Sequence, residues 1–317
     1  MGKKLYIECN TGISGDMTVA SLIDLGADKD VLMKAIDSLK SKVDGFEVKI
    51  SDIEKSGIIV KDFDVILDSD NHDHDMEYLY GHEHGAKNPY HGDHEHHHEE
   101  AHHHHDDDNE YNHEHNHHND TEPHHHHDHD HEEQHGTTHH HEHVHRSLKD
   151  VIDIINVADI TDEARNLAIK IFTIVAEAES AVHGKHIEEV HFHEVGAIDS
   201  IVDIISAAVC YDDIVKKYEI EGTVISRLVD GTGTIRCQHG ILPVPVPAVL
   251  KIAEQTGVPI SISNRHGEYV TPTGAAFAAA VMTENRLPES MKIIKTGLGA
   301  GKREQDVPGI LRAMIIE

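Results

Sequence analysis

A mixed α/β (α+β) fold is predicted: two small mixed-sheet units separated by a long disordered insertion rich in His, Asp and Glu. Three observations lead there. Outside residues 71–145, segments with helical apolar spacing alternate with short β-branched runs. Several of those runs stand next to one another, which favours antiparallel pairing over an all-parallel sheet. Residues 71–145 hold 29 of the 35 histidines and 20 acidic residues against one basic residue, Lys87, with almost nothing apolar to bury. Such a stretch cannot offset its ordering entropy. The expected organisation is therefore an N-terminal strand–helix–strand–strand unit over 1–70, a His-rich metal-binding linker over 71–145, and a main α/β domain over 146–317.

Each element follows from local pattern. "KKLYIECN" reads as a short buried strand and "TGISG" as a glycine turn. "DMTVASLIDLGADKDVLMKAIDSLK" has helical spacing broken at Gly26. "FEVKISDIEKSGIIVKDFDVIL" alternates through Phe46, Val48, Ile50, Ile59, Phe63 and Val65, as two strands joined around "EKSG" do. After the linker, "RSLKDVIDIINVADI" is helical. The next helix has Thr161 as N-cap, acidic residues in its first turn and Gly184 as its stop. "EEVHFHEV" reads as a short strand or extended loop, "DSIVDIISAAVCYDDIVKKY" as a helix and "GTVISRLV" as one strand. A Gly/Pro-rich loop then enters a helix at "VPAVLKIAEQ". "VPISIS" is a strand, "EYVTPTGAAFAAAVMTE" a turn into a helix, and "MKIIKTGLGAG" and "GILRAMIIE" close the chain as strands.

The net charge of −31 argues against a nucleic-acid partner, because phosphate neutralisation needs Lys and Arg. No run reaches the roughly 18 apolar residues of a membrane span, and "MGKKLYIECN" lacks the apolar core of a signal peptide. Cys9, Cys210 and Cys237 are odd in number and form no CxxC pair, which fits reduced thiols and a cytoplasmic setting. The expected assembly is a homo-oligomer.

Chemistry concentrates in five places. The tract is expected to capture cations: imidazole suits Zn, Cu and Ni, and patterns such as "HHHHDHDHEE" supply many overlapping ligand sets. With an imidazole pKa of about 6.5, that capture fades as the pH falls. "HFHEVGAIDS" is the second place. In an extended chain His191 and His193 share one face, about 7 Å apart. Glu194 can support a histidine, and Asp199 and Asp203 stand four apart on one helical face. His191, His193, Glu194, Asp199 and Asp203 are thus the candidate metal ligands, with His193, Glu194 and Asp199 as the candidate catalytic set. Each also has a plain structural reading, Asp199 as a cap and Asp203 as a solvated face. His183 and His186 lie just upstream and can join.

The other three places are backbone-rich loops. "CNTGISGDM" brings Ser14, Gly15 and Asp16 to a helix start, where exposed amides suit an anion or simply make a tight turn. It lacks the GK[ST] of a P-loop. "VTPTGAAFAA" has Thr271 as cap and Pro272 in the first turn, and Thr273 and Gly274 offer a second anion seat or plain packing. Between them, "GTGTIRCQHGILPVPVPA" holds Arg236, which can clamp a carboxylate or phosphate. Cys237 beside His239 in the same loop is a soft ligand pair or an activated thiol.

Together "CNTGISGDM", "EVHFHEVGAIDSIVDI", "GTGTIRCQHGILPVPVPA" and "EYVTPTGAA", in this order, resemble the nickel insertion proteins of the LarC family. A His-rich linker after the first unit matches too, though here it is unusually long. The first motif departs at Glu8 and Asn10, where an aspartate and an aromatic residue are expected. The resemblance implies insertion of Ni²⁺ into pyridinium-3,5-bisthiocarboxylic acid mononucleotide, forming one nickel–carbon and two nickel–sulfur bonds. That reaction is a CTP-dependent cyclometallation, a lyase of the metal-chelatase type. It completes the nickel-pincer cofactor of lactate racemase-type enzymes, which receive it. Family members usually continue into a C-terminal region that carries the CTP and divalent-metal site, with a motif like NIDDM. This sequence shows no such motif and resembles the N-terminal portion. CTP and Mg²⁺ or Mn²⁺ are therefore expected only with a C-terminal partner, which some members make as a separate product. Two readings from other classes stay open: a non-catalytic nickel store or chaperone, and a metal-dependent hydrolase built on His193 and Glu194.

Overall fold

The computed structural model describes residues 2–68 and 146–317, except 193–196, 238 and 304–306; the 71–145 linker lies outside the described residues. Among the described residues the chain forms seven α-helices and twelve strands with mixed sheets.

The apolar opening run becomes β1 (Lys3–Glu8), and β2 (Phe46–Lys55) and β3 (Ile58–Leu67) form the expected hairpin. Ser56 and Gly57 take φ of 52° and 79° between them, the left-handed pair that a two-residue hairpin turn demands. These strands do not make a sheet of their own, which corrects the expectation of two separate sheet units. β3 pairs in parallel with β11 (Ile293–Ala300). β1 lies between β6 (Ile220–Val224), parallel, and β12 (Ile310–Ile316), antiparallel. The result is one six-stranded sheet of order β2-β3-β11-β12-β1-β6. The physical reason is burial: Leu5, Ile7, Val60 and Phe63 are all but inaccessible to water, and a lone hairpin cannot cover such residues.

The helix after the first glycine turn, α1 (Gly15–Leu25), buries nine of its eleven residues. A helix apolar nearly all round needs cover on every side. It lies on β3, β11 and β12 and is covered by α5 (Ile198–Tyr218). β11 makes this contact possible with glycines at alternate positions. A Cβ on Gly297 would strike the Ser21 carbonyl and the Leu25 backbone; one on Gly299 would strike the Met17 carbonyl. Leu298, between them, donates its N–H to Asp24 Oδ2 at 2.8 Å. α1 stops at Gly26, φ 114°, as the sequence indicates, and α2 (Lys29–Leu39) follows with Asp28 accepting the Asp30 and Val31 amides.

The remaining helices build the second layer. α3 (Leu148–Val157) starts with a Ser147–Asp150 capping box. α4 (Asp162–His183) begins at Thr161, which accepts the Ala164 amide, and ends at Gly184 with φ 62°. α4 packs against α3, α5, α6 (Pro247–Thr256) and α7 (Pro272–Val281). Two local readings change. "GTVISRLV" is two strands in different sheets, β6 and β7 (Leu228–Thr232), and β7 pairs in parallel with β10 (Ile260–His266). The loop after β7 contains a hairpin, β8 (Thr234–Cys237) and β9 (Gly240–Pro243). Finally, β4 (Arg146–Ser147) pairs with β5 (His191–Phe192), tying the histidine motif to the start of α3.

The backbone contact between α1 and β11 yields a prediction. Valine at Gly299 improves strand propensity by at most ~1 kcal/mol, but its side chain meets backbone that cannot swing aside. Overpacking of this kind costs about 1–3 kcal/mol, so Gly299→Val is expected to lower the urea midpoint. An unchanged midpoint would mean helix and strand are not in backbone contact.

Candidate functional site

The first motif and the histidine motif meet at the start of α1. Ser14 is the N-cap by backbone geometry, φ −136° and ψ 175°, but its hydroxyl caps no amide; it donates to the Asp16 carboxylate. The carboxylate of Asp203, one turn into α5, closes on this helix start. Gly15 makes room for it: a Cβ there would lie 2.6 Å from Asp203 Oδ2 and 2.8 Å from Asp203 Cβ. A helix N-terminus is a ready anion seat, and here the chain's own carboxylate fills it.

Further carboxylates gather around this contact. Loss of water, then the charges of Asp16 and Asp199, raise the Asp203 carboxyl well above the usual carboxylate range, against the pull of Lys302 and the Asp16 amide. Beside it opens a cavity of about 440 Å³ lined by Lys55, Asp62, Asp64, Asp199, Gly301 and Lys302, among others. Lys302 is ion-paired with Asp64, and Lys55 donates to the Gly301 carbonyl. Burial, with the neighbouring charges of Asp64 and Asp16, raises the Asp62 carboxyl, and Lys302 and Lys55 oppose that. The arrangement is an oxygen-rich wall with two lysines, suited in donor type to hard cations.

It is not a finished metal cage. Among the described residues, no group of three or more His, Cys, Asp or Glu is arranged to hold a metal ion. Of the five expected ligands, Asp199 and Asp203 are near neighbours here. His193 and Glu194 lie outside the described residues, and His191 is placed as the backbone partner of Ser147.

The other two motifs lace onto the first. Ile13 donates to the Tyr269 carbonyl at 2.9 Å and accepts from the Thr271 amide at 3.1 Å. Thr271 caps α7 by accepting the Gly274 amide at 3.2 Å, and its hydroxyl lies 2.9 Å from that of Thr273. Gly274 rests its bare Cα against the Ile13 carbonyl, so its amide and its small size are both used in packing. Asp230, fully buried in the middle of β7, holds the same corner. Its Oδ1 accepts the amides of Gly231 and Tyr269 at 2.8 Å and of Val270 at 3.2 Å.

Arg236 and His239 sit on the β8–β9 hairpin, away from that corner's hydrogen bonds, and both are exposed. The hairpin borders a second cavity of about 110 Å³. Phe192, Ile235, Leu242 and Val246 form its apolar wall; Glu179, His183, Cys237, His239 and Glu268 supply its polar atoms. The volume compares with the ~150 Å³ of an engineered apolar cavity that admits benzene.

The model of the family described as "Nickel insertion protein" matches residues 5–317. This chain belongs to the nickel insertion protein family. A relative from Alkaliphilus metalliredigens is 43% identical over 318 residues, covering 100% of this chain and 61% of that protein. One from Clostridium acetobutylicum is 41% identical over 314 residues, covering 99% and 64%. Both are named pyridinium-3,5-bisthiocarboxylic acid mononucleotide nickel insertion protein. A protein from Maridesulfovibrio salexigens, named putative nickel insertion protein, is 40% identical over 311 residues, covering 98% and 62%. The chain thus spans about three fifths of the length of the curated relatives it matches. No solved structure matches it. Among the described residues, no helix is long and apolar enough to cross a membrane.

In this member of the nickel insertion family, sequence reasoning missed Asp62, Asp64, Lys302 and the partnership of His183 with the hairpin. "KDFDV" carries the only local signal, two aspartates two apart on one strand face. The departures at Glu8 and Asn10 answer each other. Asn10 donates to Glu8, and Glu8 is ion-paired with Arg312 on β12.

Asp230 gives a pH prediction. Burial, opposed by three amides and Arg303, raises its pKa. A carboxyl whose folded pKa is raised contributes stability at low pH that is lost as the pH rises above its unfolded value of about 3.9. Asp230→Asn keeps an oxygen for the amides and removes the titration. The stability of the parent relative to this variant, from urea unfolding, is expected to fall between about pH 4 and pH 7; a rise would refute the assignment.

Proposed function

We propose that this chain inserts nickel into pyridinium-3,5-bisthiocarboxylic acid mononucleotide, completing the nickel-pincer cofactor of lactate racemase-type enzymes. The observation that carries the reading is the 43% identity to a protein of that name across 100% of this chain. That span includes the acid cluster, the hairpin and the laced loops together. In this reading Ni²⁺ is cargo, gathered by the His-rich 71–145 linker. Asp199 and Asp203, with His191, His193 and Glu194, strip its water and present it. The mononucleotide is met by the loops bearing Ser14, Gly15, Asp16, Arg236, His239, Thr271, Thr273 and Gly274. Its sulfur ligands, softer than carboxylate, draw the metal onward.

CTP and Mg²⁺ or Mn²⁺ act through a C-terminal partner chain. The described residues do not fit a nucleoside triphosphate. The larger cavity sets three carboxylates against two lysines, one of them ion-paired, which repels a polyanion.

The test is reconstitution with apo-cofactor, Ni²⁺, CTP and the C-terminal partner. The parent is expected to insert nickel. Deleting 71–145 should slow the reaction at scarce nickel and spare it at saturation. Asp199→Asn with Asp203→Asn should lower insertion about tenfold or more, the scale on which metal-site support is lost. A parent that binds nickel but never charges the cofactor would refute the function. A double variant as active as the parent would remove the acid cluster from it.

A further inference from the structure

We infer that the cavity beside the β8–β9 hairpin seats a planar cationic aromatic ring, the pyridinium ring of the mononucleotide, with the ribose and phosphate left outside it. The inference deepens the nickel-insertion reading and rests on it for the identity of the ring.

Three of the four stretches that carry the family resemblance meet at this one cavity. Phe192 comes from "EVHFHEVGAIDSIVDI", Ile235, Leu242 and Val246 come from "GTGTIRCQHGILPVPVPA", and Glu268 and Pro272 come from "EYVTPTGAA". The last turn of α4 adds Val182 and His183.

Size and shape suit one flat ring. A cavity of about 150 Å³ takes benzene whole. The present one, about 110 Å³, covers most of a six-membered ring and leaves its substituents at the mouth. Ile235 and Leu242 are register partners across the hairpin, so their side chains stand together on one face. Both are only half-buried. A ring laid against this pair removes apolar surface from water on both sides of the contact.

Charge selects a cation. Glu179 and Glu268 line the cavity, and among the described lining residues there is no lysine or arginine. The Glu268 side chain is 4% exposed and ion-paired with Arg303. Arg303 Nη1 also donates to the Glu268 carbonyl at 3.3 Å. One guanidinium thus holds both the backbone and the carboxylate of Glu268, which fixes that carboxylate in place. α4 ends at His183, so the negative end of its dipole lies at the same cavity. A fixed negative charge with little water around it attracts a cation more strongly than the same charge in bulk water.

The test uses the full chain in chelator, so that the His-rich linker carries no metal, and titration calorimetry with two probes. Nicotinamide mononucleotide carries a pyridinium cation; its reduced form carries a neutral dihydropyridine on the same ribose phosphate. The parent is expected to bind the oxidised probe about fivefold more tightly than the reduced one, the upper reach of a partly exposed charge pair. Glu179→Gln and Glu268→Gln should each cut that preference. Leu242→Trp fills the cavity and should weaken the oxidised probe about tenfold or more, the scale of one lost ring-stacking contact, with unchanged far-ultraviolet dichroism. Binding of neither probe, equal binding of both, or parental affinity in Leu242→Trp overturns the inference. A chain that meets these expectations but never charges the apo-cofactor leaves the ring seat standing and removes the functional reading. Nickel insertion by Leu242→Trp at the parent's rate does the reverse.

Discussion

The packing of the Asp203 side chain against the start of α1, across the bare Cα of Gly15, is the contact on which the site depends. It joins α1 and α5 at the point where the sheet's first connection begins. A carboxylate at a helix N-terminus gains about 0.3–1 kcal/mol from the dipole, and up to ~2 when partly buried. Asp16 and Asp199 act against that gain with like charge, and the raised Asp203 pKa shows that burial and repulsion win. The contact is therefore held by geometry, not by favourable charge. Gly15 leaves the opening, and α5 packs along α1 closely enough to fill it.

That packing is itself prepared by β11. Gly297 and Gly299 bring the α1 backbone down onto the strand, and Met17 reaches Gly301 at the strand's end. Lys302 follows directly, where it meets Asp64 of β3. The cavity's carboxylates thus come from two routes through the chain: the β3 strand and the first turn of α5. Neither makes the cavity alone.

What was legible follows from the range of each interaction. The Thr161 and Thr271 caps, the Gly26 and Gly184 stops and the turn at Ser56–Gly57 depend on residues within a few positions, and the local pattern declared them. The shared sheet was not legible, because the β3–β11 pairing joins residues more than 200 positions apart and leaves no local mark. The "CNTGISGDM" loop was readable as an anion seat; that Asp203 sits on it was not, since nothing in a glycine turn names its occupant. His183 looked like a neighbour of the "HFHE" stretch by sequence. The length of α4 and its stop at Gly184 place its ring beside His239 of the β8–β9 hairpin, at a cavity that Phe192 also lines.

The two cavities divide donor chemistry between them. One wall offers carboxylate oxygens, the other a thiol and imidazoles. One short stretch borders both, with Phe192 on the second cavity and Asp199 on the first. Seven residues of extended chain reach at most about 25 Å, which bounds the separation between them.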